Sequence, residues 1–324
     1  MIEFNYPIDN ISIIMDRITG LVYGAMYGDA LGAPHEFRRD TIDPSELIMK
    51  PLRRFNRYTK SWSQTVVGQF TDDTEMAMTL LNHLITHDWQ YDPQDVVMDY
   101  LQWANSGTKF IGRNTRELLK GIGTYRGYQT RYRKKFIDAN VRESALSNGA
   151  LMRCYPFAIY GLFHDDFLKV AETDCRLTNP SSQAVAVEQR YLTSLVIALK
   201  GGSKQEIIGD YDLSQTVDVT VNKGLCTHAL YCTYYGLTHF DSYDQAIKGI
   251  ILLGGDTDTN AEIAGGLLGA FYGFQKMSQS QEFVDNLATI MRRPIEDGDY
   301  PRPSLYAPNQ FIDYLKHVGI KLGE

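Results

Sequence analysis

Two short acidic runs, Thr71-Asp72-Asp73-Thr74 and Asp256-Thr257-Asp258-Thr259, hold the residues best suited to chemistry. Each sets two carboxylates among hydroxyls just ahead of a stretch with helical apolar spacing. Thr and Asp favour helix starts, where a side-chain oxygen caps backbone N–H groups and the macrodipole favours negative charge. Capping accounts for one Thr and one Asp in each run and leaves a second carboxylate over. Adjacent like charges repel, and a bound cation relieves them best. Such oxygens form a hard donor set, suited to magnesium, calcium or manganese and unsuited to copper or zinc. If the two helix starts converge, Thr71, Asp72, Asp73, Asp256, Asp258 and Thr259 could hold two ions, which in such sites lie about 3.5–4 Å apart.

Competing motifs can be checked by position. Asp256, Asp258 and Asn260 open like an EF-hand loop, but Ala261 replaces the required glycine and Leu267 the closing Glu. His83 and His87 have the spacing of a zinc-binding H-E-x-x-H helix, but Leu84 stands where the Glu belongs, so both read as surface histidines. No G-x-x-x-x-G-K-S/T phosphate loop occurs, and Gly121 and Gly123 lack the rest of a dinucleotide fingerprint. Glu36 lies just past Pro34, where a helix should have ended; alone, a loop carboxylate reads as solvated.

Helices must position these groups. Apolar residues recur at three- and four-residue spacing over 12–27, 72–86, 185–199 and 261–274. Two small-residue ladders stand out: Gly20, Gly24 and Gly28, with Gly32 next in register, and Ala261, Gly265, Gly269 and Gly273. Glycine inside a helix costs roughly 1 kcal/mol against alanine, and a face without side chains lets another backbone approach closely. Both segments are expected to be central helices with close neighbours. Residues 216–222 (TVDVTVN) alternate Val217, Val219 and Val221 with polar residues, a strand by period, but one isolated strand builds no sheet. Residues 292–309 hold four of the eleven prolines and read as a surface loop. No linker, low-complexity tract or repeat divides the chain. The expectation is an all-α fold, one compact multi-helix domain over residues 1–324.

Composition bounds the rest. The 324 residues are 44% apolar and 22% charged, near globular averages, which excludes a disordered chain. Thirty-two Lys and Arg against 39 Asp and Glu give −7, a balance that disfavours general nucleic-acid binding. Charge is nonetheless segregated. Residues 109–135 hold nine Lys and Arg and one acid, Glu117, a net +8 that leaves −15 for the remainder of the chain. Such a run is usually a solvated face; functionally it could attract a pyrophosphate or a modified macromolecule. Tyr125, Tyr128 and Tyr132 are interleaved with the cations, a mixture also seen in single-strand binding grooves. Four cysteines without a C-x-x-C pair suit reduced thiols. No signal peptide and no apolar run of about 18 residues is visible, so a cytoplasmic protein with no membrane partner is expected.

Together these segments resemble the ADP-ribosylglycohydrolase family. Its opening motif G-x-x-x-G-D-x-x-G-x-x-x-E is matched by Gly24, Gly28, Asp29, Gly32 and Glu36, and its T-D-D-T motif by Thr71 to Thr74. The N-G-x-x-M-R motif appears as Asn148, Gly149, Met152 and Arg153. The closing G-G-D-T-D-T motif, with its small-residue ladder, runs from Gly254 through Ala270. Two departures stand out: Ser147 precedes Asn148 where the family often has Gly, and Asn179 follows Thr178 where many members have His. Asn keeps hydrogen bonding but does not titrate near pH 7.

The resemblance implies an all-α domain with a binuclear magnesium cleft, manganese being a possible substitute. On it, Thr71, Asp72, Asp73, Asp256, Asp258 and Thr259 become the metal ligands, and Glu36, Asp72 and Asp73 the catalytic carboxylates, with acid and base roles open. Asn148 and Gly149 become the ADP-ribose loop, with Asn114 and Thr115 in a second substrate loop and Asn179 at the pocket. The implied reaction cleaves the bond between ADP-ribose and a side chain, arginine favoured, with serine or O-acetyl-ADP-ribose behind it. The implied partner is an ADP-ribosylated protein or a small ADP-ribose conjugate, with modified nucleic acid a weaker alternative. A catalytically silent ADP-ribose binder or a crystallin-like structural relative is the other class. The complete acidic set argues against silence, because a pure binder has no need of every metal ligand.

Overall fold

Residues 18–32 carry a single charged side chain, Asp29, and a helix that is apolar all round must lie inside the protein. In the computed structural model, which describes residues 11–56, 60–295 and 300–323, the first helix α1 (Ile11–Gly32) is buried without a break from residue 20 to its end. A two-stranded antiparallel hairpin follows, β1 (Arg53–Asn56) and β2 (Ser61–Gln64), with Arg53 opposite Gln64. The helices α2 (Asp72–Thr86), α3 (Pro93–Asn105), α4 (Arg113–Leu119) and α5 (Tyr125–Tyr132) come next, the last running into a π-helical stretch (Arg133–Asp138). Beyond these lie α6 (Pro156–Tyr160), α7 (Phe167–Thr178), α8 (Ser182–Leu199), α9 (Lys204–Ile208), α10 (Cys226–His239) and α11 (Tyr243–Leu252). The chain closes with α12 (Thr257–Tyr272), α13 (Phe274–Met277), α14 (Gln281–Met291) and α15 (Gln310–Gly323). The architecture is all-α apart from the hairpin. Among the described residues no helix is long and apolar enough to cross a membrane.

The two small-residue ladders pack on each other. A Cβ built on Gly20 would stand 2.3 Å from the Gly269 carbonyl oxygen, one on Gly24 2.4 Å from that of Gly265, and one on Gly28 2.1 Å from that of Ala261. Gly32 meets Thr257 in the same way, at 2.3 Å. The order shows that α1 and α12 are antiparallel and in backbone contact along their length. Thr257 Oγ1 donates to the Gly32 carbonyl at 2.8 Å, locking the last step. Tyr243 donates to the Gly24 carbonyl (2.6 Å) and Tyr191 to that of Ile263 (2.8 Å), so both of these hydroxyls are satisfied. The C-terminal end of α1 and the N-terminal end of α12 therefore meet at one point, with Glu36 just past the first and Asp256 and Asp258 at the second.

Three expectations from spacing are corrected. Residues 216–222 form a turn-rich loop: Asp218 Oδ1 accepts from Thr220 N (2.9 Å), closing a turn that no strand tolerates. Only Val219 of the three valines is buried; Val221 is 56% exposed. His83 is buried, with Nδ1 2.7 Å from Asp99 Oδ2, whereas a surface position is expected from its spacing.

Residues 292–309 are the third: their described parts, 292–295 and 300–309, form a strap that sends Arg293 and Arg302 inward. Arg302 forks onto the buried Glu75 of α2 at 2.7 and 2.8 Å, and Trp103 Nε1 donates to the same carboxylate at 2.9 Å. Removing one partner of a buried ion pair leaves an uncompensated charge and costs about 3–5 kcal/mol. Arg302→Ala is therefore expected to lower unfolding stability by about that amount in urea denaturation, while a surface change such as Arg133→Ala leaves the midpoint unmoved within about 0.5 kcal/mol.

Candidate active site

The acidic cleft lies where the end of α1 and the starts of α2 and α12 meet. The first backbone N–H groups of α2 have no partner within the helix and need an acceptor. That acceptor comes from α1. Asp29, fully buried, accepts from Thr71 N (2.9 Å) and Thr74 N (3.2 Å), and from the hydroxyls of Thr71 (3.0 Å) and Thr74 (2.6 Å). Burial pushes its carboxyl up to about 6, against the Thr74 and Thr71 bonds that pull it down. Because Asp29 caps the helix, Asp72 and Asp73 are left for other work. The role of Asp29 is absent from the sequence reading, although the signal was present: a lone charge inside an apolar helix must find partners.

The expected ligand residues do converge. Oxygens of Asp29, Asp73 and Asp258 all lie within 4.8 Å of one another, as do those of Glu36, Asp256 and Asp258, so Asp258 belongs to both groups. Asp73 Oδ2 accepts from Thr71 Oγ1 (2.7 Å), whereas its Oδ1 is buried with no hydrogen-bond partner. Burial, and then the neighbouring carboxylates, drive Asp72, Asp73 and Asp258 well above the usual carboxylate range. Asp256 is also raised by burial, with the Asn148 bond as the main opposing influence. An orphaned buried oxygen among mutually repelling carboxylates and Thr hydroxyls fits hard divalent cations.

The remaining walls bring the other loops in. The cleft encloses about 400 Å³ and is lined by Thr71, Asp72, Asp73, Asp256, Asp258, Thr259, Glu36, residues 110–115, Ser147, Asn148, Gly149, Met152, Phe37, Lys223 and Gly224. Gly112 N donates to Asp72 Oδ2 at 2.9 Å, which sets the loop of Asn114 and Thr115 against α2. Asn148 Nδ2 donates to Asp256 Oδ2 at 2.8 Å, and its own N–H to the Gly224 carbonyl at 2.9 Å. Asn148 thus orients a floor carboxylate as well as lining the cleft. A Cβ on Gly149 would lie 3.6 Å from Thr115 Oγ1, so the loops of Asn148 and of Asn114 face each other closely.

Two residues support these loops from behind. Arg153, fully buried, pairs with Asp174 (2.9 Å) and donates to the Gly149 carbonyl (2.7 Å) and to Thr178 Oγ1 (2.8 Å). Burial is the largest influence and opposes its charge, but Asp174 together with Tyr100, Glu188 and Cys175 outweighs it, so the guanidinium stays protonated. Asn179, expected at the pocket, is not among the cleft-lining residues. Its Nδ2 donates to the Ser147 carbonyl (2.8 Å) and Ser147 Oγ (2.9 Å), holding the loop in place. Each such bond contributes about 1 kcal/mol. Asn179→Ala is therefore expected to raise KM for an ADP-ribosylated substrate about tenfold while leaving kcat unchanged within about twofold.

Known proteins match this arrangement along the chain. The family model for ADP-ribosylglycohydrolase matches residues 10–299. The chain is 26% identical to ADP-ribosyl-dinitrogen reductase glycohydrolase of Rhodospirillum rubrum, covering 80% of this chain and 87% of that one. It is 25% identical to ADP-ribosylarginine hydrolase Tri1 of Pseudomonas putida, covering 85% and 75%. A solved ADP-ribosylglycohydrolase-related protein complex superimposes with a TM-score of 0.64 at 23% identity, over 86% of this chain and 98% of that one. With that match spanning all three acidic helix ends, the chain belongs to the ADP-ribosylglycohydrolase family, hydrolases of ADP-ribosylated substrates.

Proposed function

We propose that this protein is a magnesium-dependent hydrolase that releases ADP-ribose from modified arginine side chains. The observation that carries the reading is Asp258, shared between a fully buried carboxylate group and one that reaches solvent at Glu36, beside the orphaned Asp73 Oδ1. Thr71, Asp72 and Asp73 from one side and Asp256, Asp258 and Thr259 from the other would hold two magnesium ions, with manganese as a substitute. When bound, such ions lower the pKa of a water and orient oxygen ligands such as ribose hydroxyls.

The chain's own groups do the rest. Glu36 lies at the solvent edge of the acidic floor, where its carboxylate oxygen accepts a proton from the attacking water. Asp72 and Asp73 face the positive charge that develops at the anomeric carbon in an oxocarbenium-like transition state. The C–N bond to the guanidine breaks, hydroxyl adds to the anomeric carbon, and the proton passes to the leaving nitrogen. Asn148 and Gly149, opposite Asn114 and Thr115, wall in the ADP-ribose and keep bulk water from it. Asn179 acts on that wall only through Ser147. Arginine is favoured as the leaving group because relatives named for dinitrogen reductase and for ADP-ribosylarginine align over most of the chain.

Peptides ADP-ribosylated on arginine or on serine, incubated with the protein with and without EDTA, test the reading. Free ADP-ribose is expected from the arginine peptide, and only with magnesium. Release that EDTA leaves untouched overturns the metal assignment, and binding without release overturns the hydrolase.

A further inference from the structure

Residues 109–135 build a continuous surface rather than scattered charges. Their α4 begins at Arg113 and Asn114 in the cleft wall. Arg131 of α5 donates to the carbonyls of Glu117 (3.1 Å) and Lys120 (2.7 Å), fastening α5 to the far end of α4. The one acid of the run, Glu117, is engaged by Lys135 at 2.5 Å. Arg113, Arg126, Arg133 and Lys134 are exposed. Among the described residues Arg133 pairs with Asp138 at 3.4 Å, and that pair is itself largely solvated. The result is a cationic ramp that runs from the cleft mouth along α5.

The aromatic residues decide what this ramp is for. Tyr125, Tyr128, Tyr132 and Phe136 pack in series, with ring centroids 5.9, 5.8 and 5.1 Å apart. Tyr128 and Phe136 are buried, and the Tyr128 hydroxyl donates to the Leu177 carbonyl at 2.8 Å. These rings pack against one another and the core rather than forming an open platform. Single-strand nucleic acid grooves depend on base stacking on exposed rings, whereas carboxylates need only charge and donors.

We propose that the α4–α5 face docks an acidic polypeptide segment flanking the modified side chain of a protein substrate. The inference rests on the hydrolase reading for its purpose, and on the ramp's position and charge for its chemistry. Outside residues 109–135 the chain carries −15, so an acidic partner is repelled by the remainder and steered onto this face.

The test compares the native protein with a triple variant, Arg126→Glu, Arg133→Glu and Lys134→Glu, none of which lines the cleft. Substrates are an ADP-ribosylarginine peptide with glutamates around the modified residue, the same peptide with glutamines, and free ADP-ribosylarginine. For the glutamate peptide, kcat/KM is expected to fall about tenfold in the variant, through KM, and the native salt dependence to disappear. The glutamine peptide and the free conjugate are expected to change less than about twofold. Equal losses on all three substrates, or none on the glutamate peptide, overturn the docking proposal. Tighter binding of a single-stranded oligonucleotide of matched charge, lost in the variant, assigns the face to nucleic acid instead. If the native protein releases no ADP-ribose from any substrate, the hydrolase reading fails. The docking proposal is then judged separately, by fluorescence anisotropy of the labelled glutamate peptide on the native protein and the variant.

Discussion

Asp258→Asn is expected to lower hydrolysis at least about a thousandfold in excess magnesium, the scale on which loss of one electrostatic stabiliser acts. No other side chain belongs to both carboxylate groups, so its removal unmakes both at once. The fold is expected to survive, because the substitution keeps the shape and removes a charge that its neighbours repel. Thermal unfolding separates this from simple damage. Magnesium at a hundredfold excess over its Kd should stabilise the native protein by about 2.7 kcal/mol and the variant by almost nothing. Asp73→Asn is expected to behave alike, and full activity of both variants in excess magnesium overturns the assignment.

The metal-free protein carries a pH signature of the same crowding. A buried carboxyl raised in the folded state holds a proton that the unfolded chain has shed above about pH 4. The native state then binds more protons than the unfolded one, so stability falls as pH rises from about 4 toward the folded values. Asp29 is pushed up to about 6, and burial with the neighbouring carboxylates holds Asp72, Asp73 and Asp258 well above the usual carboxylate range. Metal-free protein is expected to melt higher at pH 5 than at pH 8, and magnesium to reverse that order. A flat profile without magnesium overturns the placement of these carboxyls.

The second large effect is in the helix pair. In Gly28→Ala the new methyl group would lie 2.1 Å from the Ala261 carbonyl oxygen and 2.9 Å from Glu262 N, both backbone atoms that cannot rotate aside. Overpacking a core commonly costs about 1–3 kcal/mol when side chains can adjust. Here only separation of α1 from α12 relieves the contact, so a loss of about 3 kcal/mol or more is expected by urea denaturation. The added methyl lies one helical turn from Gly32 and the acidic end, so activity per folded molecule should fall as well. Gly123→Ala, where an added Cβ meets nothing within 4 Å, is the control. Equal stability of the two variants overturns the backbone-contact account.

What could be read from the chain, and what could not, follows the range of the interaction. The helices bearing both acidic runs were legible because period and small-residue spacing are local properties. Even the convergence left open by spacing has a local cause, since two ladders of matching step pack face to face. The motif around Asp29 carries no local sign of its function, because its work is a bond to residues 42 and 45 positions away. Asn179 was placed in the pocket by resemblance, but its amide is turned toward Ser147. The valines of 216–222 alternate correctly and still form no strand, since among the described residues no strand lies beside them to pair with and Asp218 turns the chain. The hairpin β1–β2 escaped notice because strands of four residues carry too little period to register.

The strap that carries Arg302 has a further consequence. Arg302 lies beyond residue 299, where the family match ends, and lines none of the cleft. Yet its guanidinium neutralises Glu75, two positions after Asp73 on the helix that presents half of the acidic floor. A fragment stopping at residue 299 would thus contain every signature of the family and still strand a buried anion beneath its own reaction centre. Completeness of motif and completeness of site end at different places in this chain, and truncations or fusions are best drawn past α15.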